Sequence, residues 1–329
     1  MEIALYACAA LVAAALTWLA RRYAMARRLV DQPGERRSHQ TATPRGGGIA
    51  IVLVMLAVLL WSGRDTTQAG FALPSALGLV LVAGVGWWDD HRPLSARLRL
   101  AVHIVAALLL AAAFREAGLD AVTAIVICGT AVVLVNVWNF MDGINGLAVS
   151  QAALVAATAA VIAGPDTTAW LLGWLLVAAC IGFVPFNFPH ARIFLGDVGS
   201  GALGYLLALL AGMVALEHTG TPVRGAAALL LLPASAFLVD AALTLGRRIL
   251  RREHWWQPHV QHAYQALARQ HGHTATTVAY GLWSLAGMLL ACCLARSGYT
   301  FGFMMAAAVA AWQGMGALWW RYLQDSEHG

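Results

Sequence analysis

Long apolar runs alternate with short polar breaks from one end of the chain to the other. A run of about 20 apolar residues is long enough to cross a bilayer as a helix. The pattern predicts eleven spans, at 2–20, 46–62, 71–87, 98–114, 121–138, 147–163, 168–185, 200–216, 224–246, 275–294 and 300–319. Backbone groups in lipid must be satisfied internally, which admits only helices and closed barrels. Long Ala, Leu and Val runs without strand-like alternation select helices. The expected fold is an all-α polytopic membrane protein, a single integral membrane domain over 1–329. The first run has no basic residue before it and RRYAMARR directly after, so it reads as an uncleaved anchor.

Composition agrees with the pattern. The 329 residues are 60% hydrophobic and only 11% charged, less than half the charged share of an ordinary soluble domain. The five cysteines, Cys8, Cys128, Cys180, Cys292 and Cys293, all fall in predicted spans without a CxxC pair, and read as free apolar thiols.

Charge sets the orientation. The chain has no lysine. With 21–45 placed in the cytoplasm and the spans alternating, seventeen arginines lie inside, and only Arg64, Arg115, Arg224 and Arg296 lie outside. This positive-inside asymmetry predicts an outer N-terminus and a cytoplasmic C-terminus. The net charge of +5 is then explained by anionic headgroups of membrane lipid, not by nucleic acid.

The outer loops are short. The predicted inner loops, 21–45, 88–97, 139–146, 186–199 and 247–274, hold the residues capable of chemistry. Only His103 and Asp240 read as intramembrane. A transporter would place ionisable groups near the midplane; this distribution predicts a site at the cytoplasmic interface.

Asp89 and Asp90 are adjacent at the end of one span, and Asp142 and Asp197 mark the ends of others. Asp142 and Asp197 stand in DGING and GDVG, where glycine allows a tight turn and close approach to a ligand. A single interfacial aspartate is ordinarily an exposed helix cap. Four on one side would repel one another unless a cation sat between them. Hard oxygen ligands beside phosphate suit Mg²⁺, with Mn²⁺ as a substitute.

Five histidines lie in one loop: His254, His259, His262, His271 and His273. His259 and His262 are three apart and would share a helix face; with Arg251 and Arg252 they could hold a diphosphate. A surface amphipathic helix explains the same spacing, whereas zinc is disfavoured because HExxH and nearby cysteine are both missing. Trp255 and Trp256 read as interfacial anchors. Gly46 and Gly47, in TPRGGGIA, open a span and could face an anion, although close helix packing explains glycines equally well.

The order VDQPGERRSHQTATPRGGGIA, GWWDDHRPLSARLRL, NVWNFMDGINGLA, FLGDVGSGALGY and PHVQHAYQ resembles the polyprenyl-phosphate N-acetylhexosamine-1-phosphate transferases, glycosyltransferase family 4. The last segment looks closest to the O-antigen-initiating branch. The resemblance implies transfer of a sugar-1-phosphate from a UDP-N-acetyl sugar to undecaprenyl phosphate, with Mg²⁺ and release of UMP. It implies Asp197 and Asp142 at the metal, Asp89, Asp90 and Asp142 as catalytic acids, Asn139 and Asn145 binding the substrate, and a bacterial inner membrane as the setting. His259 and His262 would hold the diphosphate or sugar. It further implies a homodimer. Asn145 stands where many relatives carry a second aspartate, Gln32 where lysine is common, and Ala266 where a basic residue is expected. The competing class is a transporter or flippase of a lipid-linked or nucleotide substrate, which shares the spans but has no need of glycine-flanked carboxylates on one face.

Overall fold

A computed structural model describes residues 2–31, 42–64, 66–219, 225–253, 259–297 and 302–325. Helices occupy nearly all of it: α1 (Glu2–Ala26), α2 (Ile49–Ser62), α3 (Thr66–His91), α4 (Ala96–Glu116), α5 (Ala121–Phe140), α6 (Leu147–Ala163), α7 (Thr168–Asn187), α8 (Asp197–Glu217), α9 (Ser235–Leu250), α10 (Ala263–Arg296) and α11 (Phe303–Asp325). A short ribbon pairs β1 (Val30–Asp31) antiparallel with β2 (Thr43–Pro44). Seven of the helices are long and apolar enough to cross a membrane, and α2 and α6 are shorter apolar helices. The chain is therefore a multi-pass, all-α membrane protein. The five cysteines are free.

Local chemistry places the ends. Ser95 caps α4 by accepting from Leu98 N at 3.3 Å, Asp120 caps α5 through Thr123 N at 3.0 Å, and Thr167 caps α7 through Trp170 N at 3.1 Å. Two predicted segments fold differently from expectation. The expected span at 224–246 is broken: Ala226–Leu231 is a 3₁₀ turn and α9 starts only at Ser235, after Pro233. Proline removes an amide donor and interrupts a helix. Two carbonyls at the break are reached from α11, Leu232 O by Trp312 Nε1 at 3.1 Å and Leu231 O by Gln313 Nε2 at 2.8 Å. In the other segment, α10 starts at Ala263, inside the predicted 247–274 loop, and bends at Gly272, whose φ is +82°. Its polar first part hid it from a reading based on apolar runs.

α8 lies at the centre. Every residue from Val198 to Val214 is buried, and α3, α5, α6 and α2 pack around it. Between helices in lipid the attraction comes from close packing, which small residues permit. A Cβ on Gly48 would lie 2.2 Å from the Gly199 Cα, and one on Gly86 would lie 2.4 Å from the Asp197 carbonyl oxygen. These two contacts press α2 and α3 onto the N-terminal turn of α8. The loop before that turn is tied down as well: Phe194 N donates to Pro44 O at 2.8 Å, Gly47 N to Phe194 O at 2.9 Å and Gly48 N to Leu195 O at 2.8 Å.

Candidate active site

The end of the bundle formed by the C-termini of α3 and α5 and the N-terminus of α8 gathers the predicted acidic residues. α3 continues through His91, so Asp89 and Asp90 sit in its last turn and not in a loop. Adjacent helical residues point in different directions, and the two acids are used differently. Asp89 accepts from Leu94 N at 2.6 Å and from Arg99 Nη1 at 2.9 Å. Asp90 is only 3% exposed. Its two oxygens accept from the first two amides of α8, Asp197 N and Val198 N, each at 3.2 Å. Arg45 flanks it, with Nε 3.8 Å from Oδ1 and a further hydrogen bond from Nη2 to the Asp90 carbonyl oxygen. Gly196, the residue before α8, has no side chain to cap the helix, and Asp90 does so from α3. Although expected as half of a catalytic pair, Asp90 is committed to holding α8 in place.

Asp197 is the hub. Arg99 Nη1 reaches its Oδ2 at 2.8 Å, so one guanidinium nitrogen bridges Asp89 and Asp197. Asn139 Nδ2 donates to Asp197 Oδ1 at 2.9 Å and lies 3.1 Å from Ser200 Oγ. Asp142, in the turn after α5, is half-buried. Among the described residues, no hydrogen bond or ion pair reaches its carboxylate. Burial, followed by the charges of Asp197 and Asp90, raises its pKa well above the ordinary carboxylate value.

A raised folded-state pKa favours the neutral acid, so ionising Asp142 weakens the fold progressively as pH rises from the unfolded value toward the folded one. Asp142→Asn is neutral throughout. In chelator it is expected to raise Tm by about 2–4 °C near pH 8, the gain shrinking toward pH 4. Equal gains at both pH values would assign the effect to something other than ionisation.

Two arginines face four aspartates here, and the balance is acidic. Among the described residues no three His, Cys, Asp or Glu side chains form a metal cage. Mg²⁺ commonly takes only one or two protein carboxylates and fills its octahedron with water and substrate phosphate. An unpartnered Asp142 carboxylate that feels the charge of Asp197 is a donor set of that kind, and the residues fit such an ion.

The histidine loop approaches the same turn. His259 and His262 stack at 4.8 Å between ring centroids, and His262 stacks on Phe140 at 6.5 Å. Burial, then the charges of His262 and Arg248, push His259 down to about 4. It is therefore neutral at pH 7 and offers hydrogen bonds. Arg251 is exposed at the end of α9, whereas the buried Arg248 of the same helix pairs with Glu253 at 3.5 Å. Asn145 donates to Pro189 O at 3.0 Å and its carbonyl accepts from Thr277 Oγ1 at 2.8 Å, tying the Asp142 turn to the loop before α8 and to α10. The Gly47 amide is spent on Phe194 O, and a Cβ there would lie 2.8 Å from the Phe183 ring; the packing explanation of that glycine holds. Gly46 has φ +91°, beside Asp90 and Trp87. His254, Trp255, Trp256 and Gln32 lie outside the described residues.

Arg99 and Arg45 were not singled out by the motifs. Their only signal was position: Arg45 closes the predicted inner segment 21–45, and Arg99 stands at the inner end of the predicted span 98–114.

A bundle of apolar helices with a part-buried acidic cluster at one end defines a multi-pass membrane protein with a polar site at the end of the bundle. Residues 72–215 match the family model described as glycosyl transferase family 4. The chain is 32% identical over 295 residues to the decaprenyl-phosphate N-acetylglucosaminephosphotransferase of Mycobacterium leprae, covering 77% of this chain and 74% of that one. It is 27% identical over 277 residues to a probable undecaprenyl-phosphate N-acetylglucosaminyl 1-phosphate transferase of Bacillus subtilis, covering 78% and 75%. It is 30% identical to the phospho-N-acetylmuramoyl-pentapeptide-transferase of Thermosynechococcus vestitus, covering 65% and 62%. The chain belongs to the polyprenyl-phosphate hexosamine-1-phosphate transferase family.

Proposed function

We propose that this protein transfers an N-acetylhexosamine-1-phosphate from a UDP-sugar to undecaprenyl phosphate, releasing UMP and starting a cell-surface polysaccharide such as O-antigen. The observation that carries the reading is the convergence of Asp89, Asp142 and Asp197 with Arg99 and Asn139 at one end of the bundle. A second feature supports the lipid acceptor. A cavity of about 500 Å³ runs along α5 from Leu119 to Trp138, walled by Leu207 of α8, Leu230 of the 3₁₀ turn and Leu238 of α9. Its lining is mostly apolar, which suits an isoprenoid chain.

Phosphoryl transfer asks a protein mainly for positioning and charge compensation. The acceptor phosphate oxygen forms a bond to the sugar-bearing phosphorus of the donor, and the bond to the UMP oxygen breaks. A phosphate monoester has its second pKa at about 6, so the acceptor is largely dianionic at neutral pH and needs no strong base. Asp89, held by Leu94 N and Arg99, then acts by positioning. Arg99 offsets charge between Asp89 and Asp197, and Asn139 orients the Asp197 carboxylate. Asp197 and Asp142 would hold Mg²⁺, which when bound offsets the negative charge of the diphosphate.

Purified protein with undecaprenyl phosphate, Mg²⁺ and UDP-GlcNAc, followed by other UDP-N-acetyl sugars, is expected to release UMP, and EDTA to abolish release. Transport of the same substrates without UMP would overturn the reading, and full turnover in chelator would remove the metal from it. The arginine distribution supports a site facing the cytoplasm. A reporter fused after Gly329 is expected to remain cytoplasmic; an exported C-terminus would reverse the orientation.

A further inference from the structure

α9 carries a carboxylate that the reaction above does not use. Asp240 is 2% exposed, and five donors converge on it. Oδ1 accepts from Ala263 N at 2.9 Å and from Thr244 Oγ1 at 3.1 Å, and lies 3.3 Å from His262 Nδ1. Oδ2 accepts from Tyr264 N and Tyr280 Oη, both at 3.0 Å. A charge buried at this depth is costly unless donors surround it, and here they do. The two amides open α10, so Asp240 caps that helix from a different one. A cap requires nothing more, yet the carboxylate also takes the imidazole of His262, itself only 4% exposed.

The donor inventory settles the direction of that contact. Backbone amides can only donate, and the two hydroxyls are aimed at the carboxylate, so Asp240 acts as an acceptor throughout. The proton between it and His262 resides on Nδ1, and Nε2 is left as the nitrogen available to a ligand. Stacking sets the ring plane: Tyr264 lies 5.7 Å from His262 and Phe140 lies 6.5 Å away, both within 26° of parallel. Tyr264 Oη donates to Phe140 O at 3.2 Å, two residues before Asp142. The carboxylate, the start of α10, the imidazole and the Asp142 turn thus form one connected unit.

We propose that Asp240 is a positioning residue for the donor site, which fixes the tautomer and orientation of His262 so that the bare Nε2 accepts a hydrogen bond from a hydroxyl or amide N–H of the sugar of the UDP-sugar. A carboxylate holding the far nitrogen of a working imidazole is a recurrent device, since it sets both tautomer and ring angle. The inference rests on the proposed reaction for its substrate, but not for its geometry.

The test is a double-mutant cycle in the full-length protein, assayed by UMP release from UDP-GlcNAc with undecaprenyl phosphate. His262→Ala is expected to lower kcat/KM for the sugar nucleotide about 2- to 12-fold, the loss of one neutral hydrogen bond. Asp240→Asn is expected to lower it about 2- to 10-fold, with KM for the lipid changed less than about 1.5-fold. In the His262→Ala background Asp240→Asn is expected to cost less than about 1.5-fold more, because coupled residues are non-additive. The same loss in both backgrounds would show that Asp240 acts only as a cap, and would overturn the proposal. If Asp240→Asn does not fold, Tyr280→Phe removes a single donor; its loss of about 2- to 10-fold is expected to vanish with His262→Ala, and persistence overturns the proposal equally. Nitrogen-15 spectra of ring-labelled histidine read the geometry without turnover. The resonance lost in His262→Ala is expected to show a protonated Nδ1, and a bare Nδ1 would sink the inference whatever the donor sugar. Wild-type protein that releases no UMP while keeping that signature would refute the proposed reaction alone.

Discussion

Asp197→Asn is expected to reduce UMP release at least about 1000-fold, with the fold intact. Removing one preorganised electrostatic group from an active site commonly costs 100- to 1000-fold, and Asp197 serves several groups at once. Its Oδ2 takes Arg99 and its Oδ1 takes Asn139, and its charge acts on Asp142. Asparagine keeps the shape but loses the charge, so Arg99 is left with Asp89 alone and the proposed cation loses a ligand. Stability should change little, because the helix start is held by Asp90 through backbone amides that the substitution leaves in place. The check is turnover together with Tm in the same detergent. More than a tenth of wild-type turnover would remove Asp197 from the centre of the mechanism.

Asp90→Ala is expected to act in the opposite way, through stability first. It strips the first two α8 amides of their acceptor and leaves Arg45 without its carboxylate. Leaving a buried donor without its acceptor costs about 1–3 kcal/mol, and two amides lose theirs at once. Tm should fall on the order of 10 °C. Asp89→Ala should leave Tm within a few degrees, because Asp89 caps nothing and Arg99 keeps Asp197. Similar drops in Tm for the two variants would mean that the neighbours share one role, against the geometry.

The contrast between Asp89 and Asp90 shows what the sequence made legible. DD at the end of an apolar run announces an interfacial acidic pair, and the resemblance supplies its chemistry. Which acid faces the reaction depends on helical phase at the end of α3, and the run was expected to stop at 87 when the helix continues to His91. The histidine loop shows the same limit. His259 and His262 were visible by spacing, while the partner that orients His262 lies 22 residues back on a helix of its own. The basic residue chosen by proximity, Arg251, points outward, and Arg248, three residues earlier, is the buried one.

By itself the sequence determined the class of structure. In lipid each backbone must satisfy itself, so an apolar run of sufficient length becomes a helix whatever its neighbours do. The multi-pass, all-α class followed from that local rule, as did the clustering of polar chemistry in a few segments; against eleven expected spans, seven of the described helices are long and apolar enough to cross a membrane. Only the tertiary structure decided which side chains meet. The Arg99–Asp197 contact joins residues 98 apart, and the Asp90 cap on α8 joins residues 107 apart. Both exist because Gly86 lets α3 press against the first turn of α8. Residue spacing reports what one helix presents on each face. It carries no record of where two helices cross, and at those crossings a conspicuous aspartate became a cap and an inconspicuous arginine became the bridge of the site.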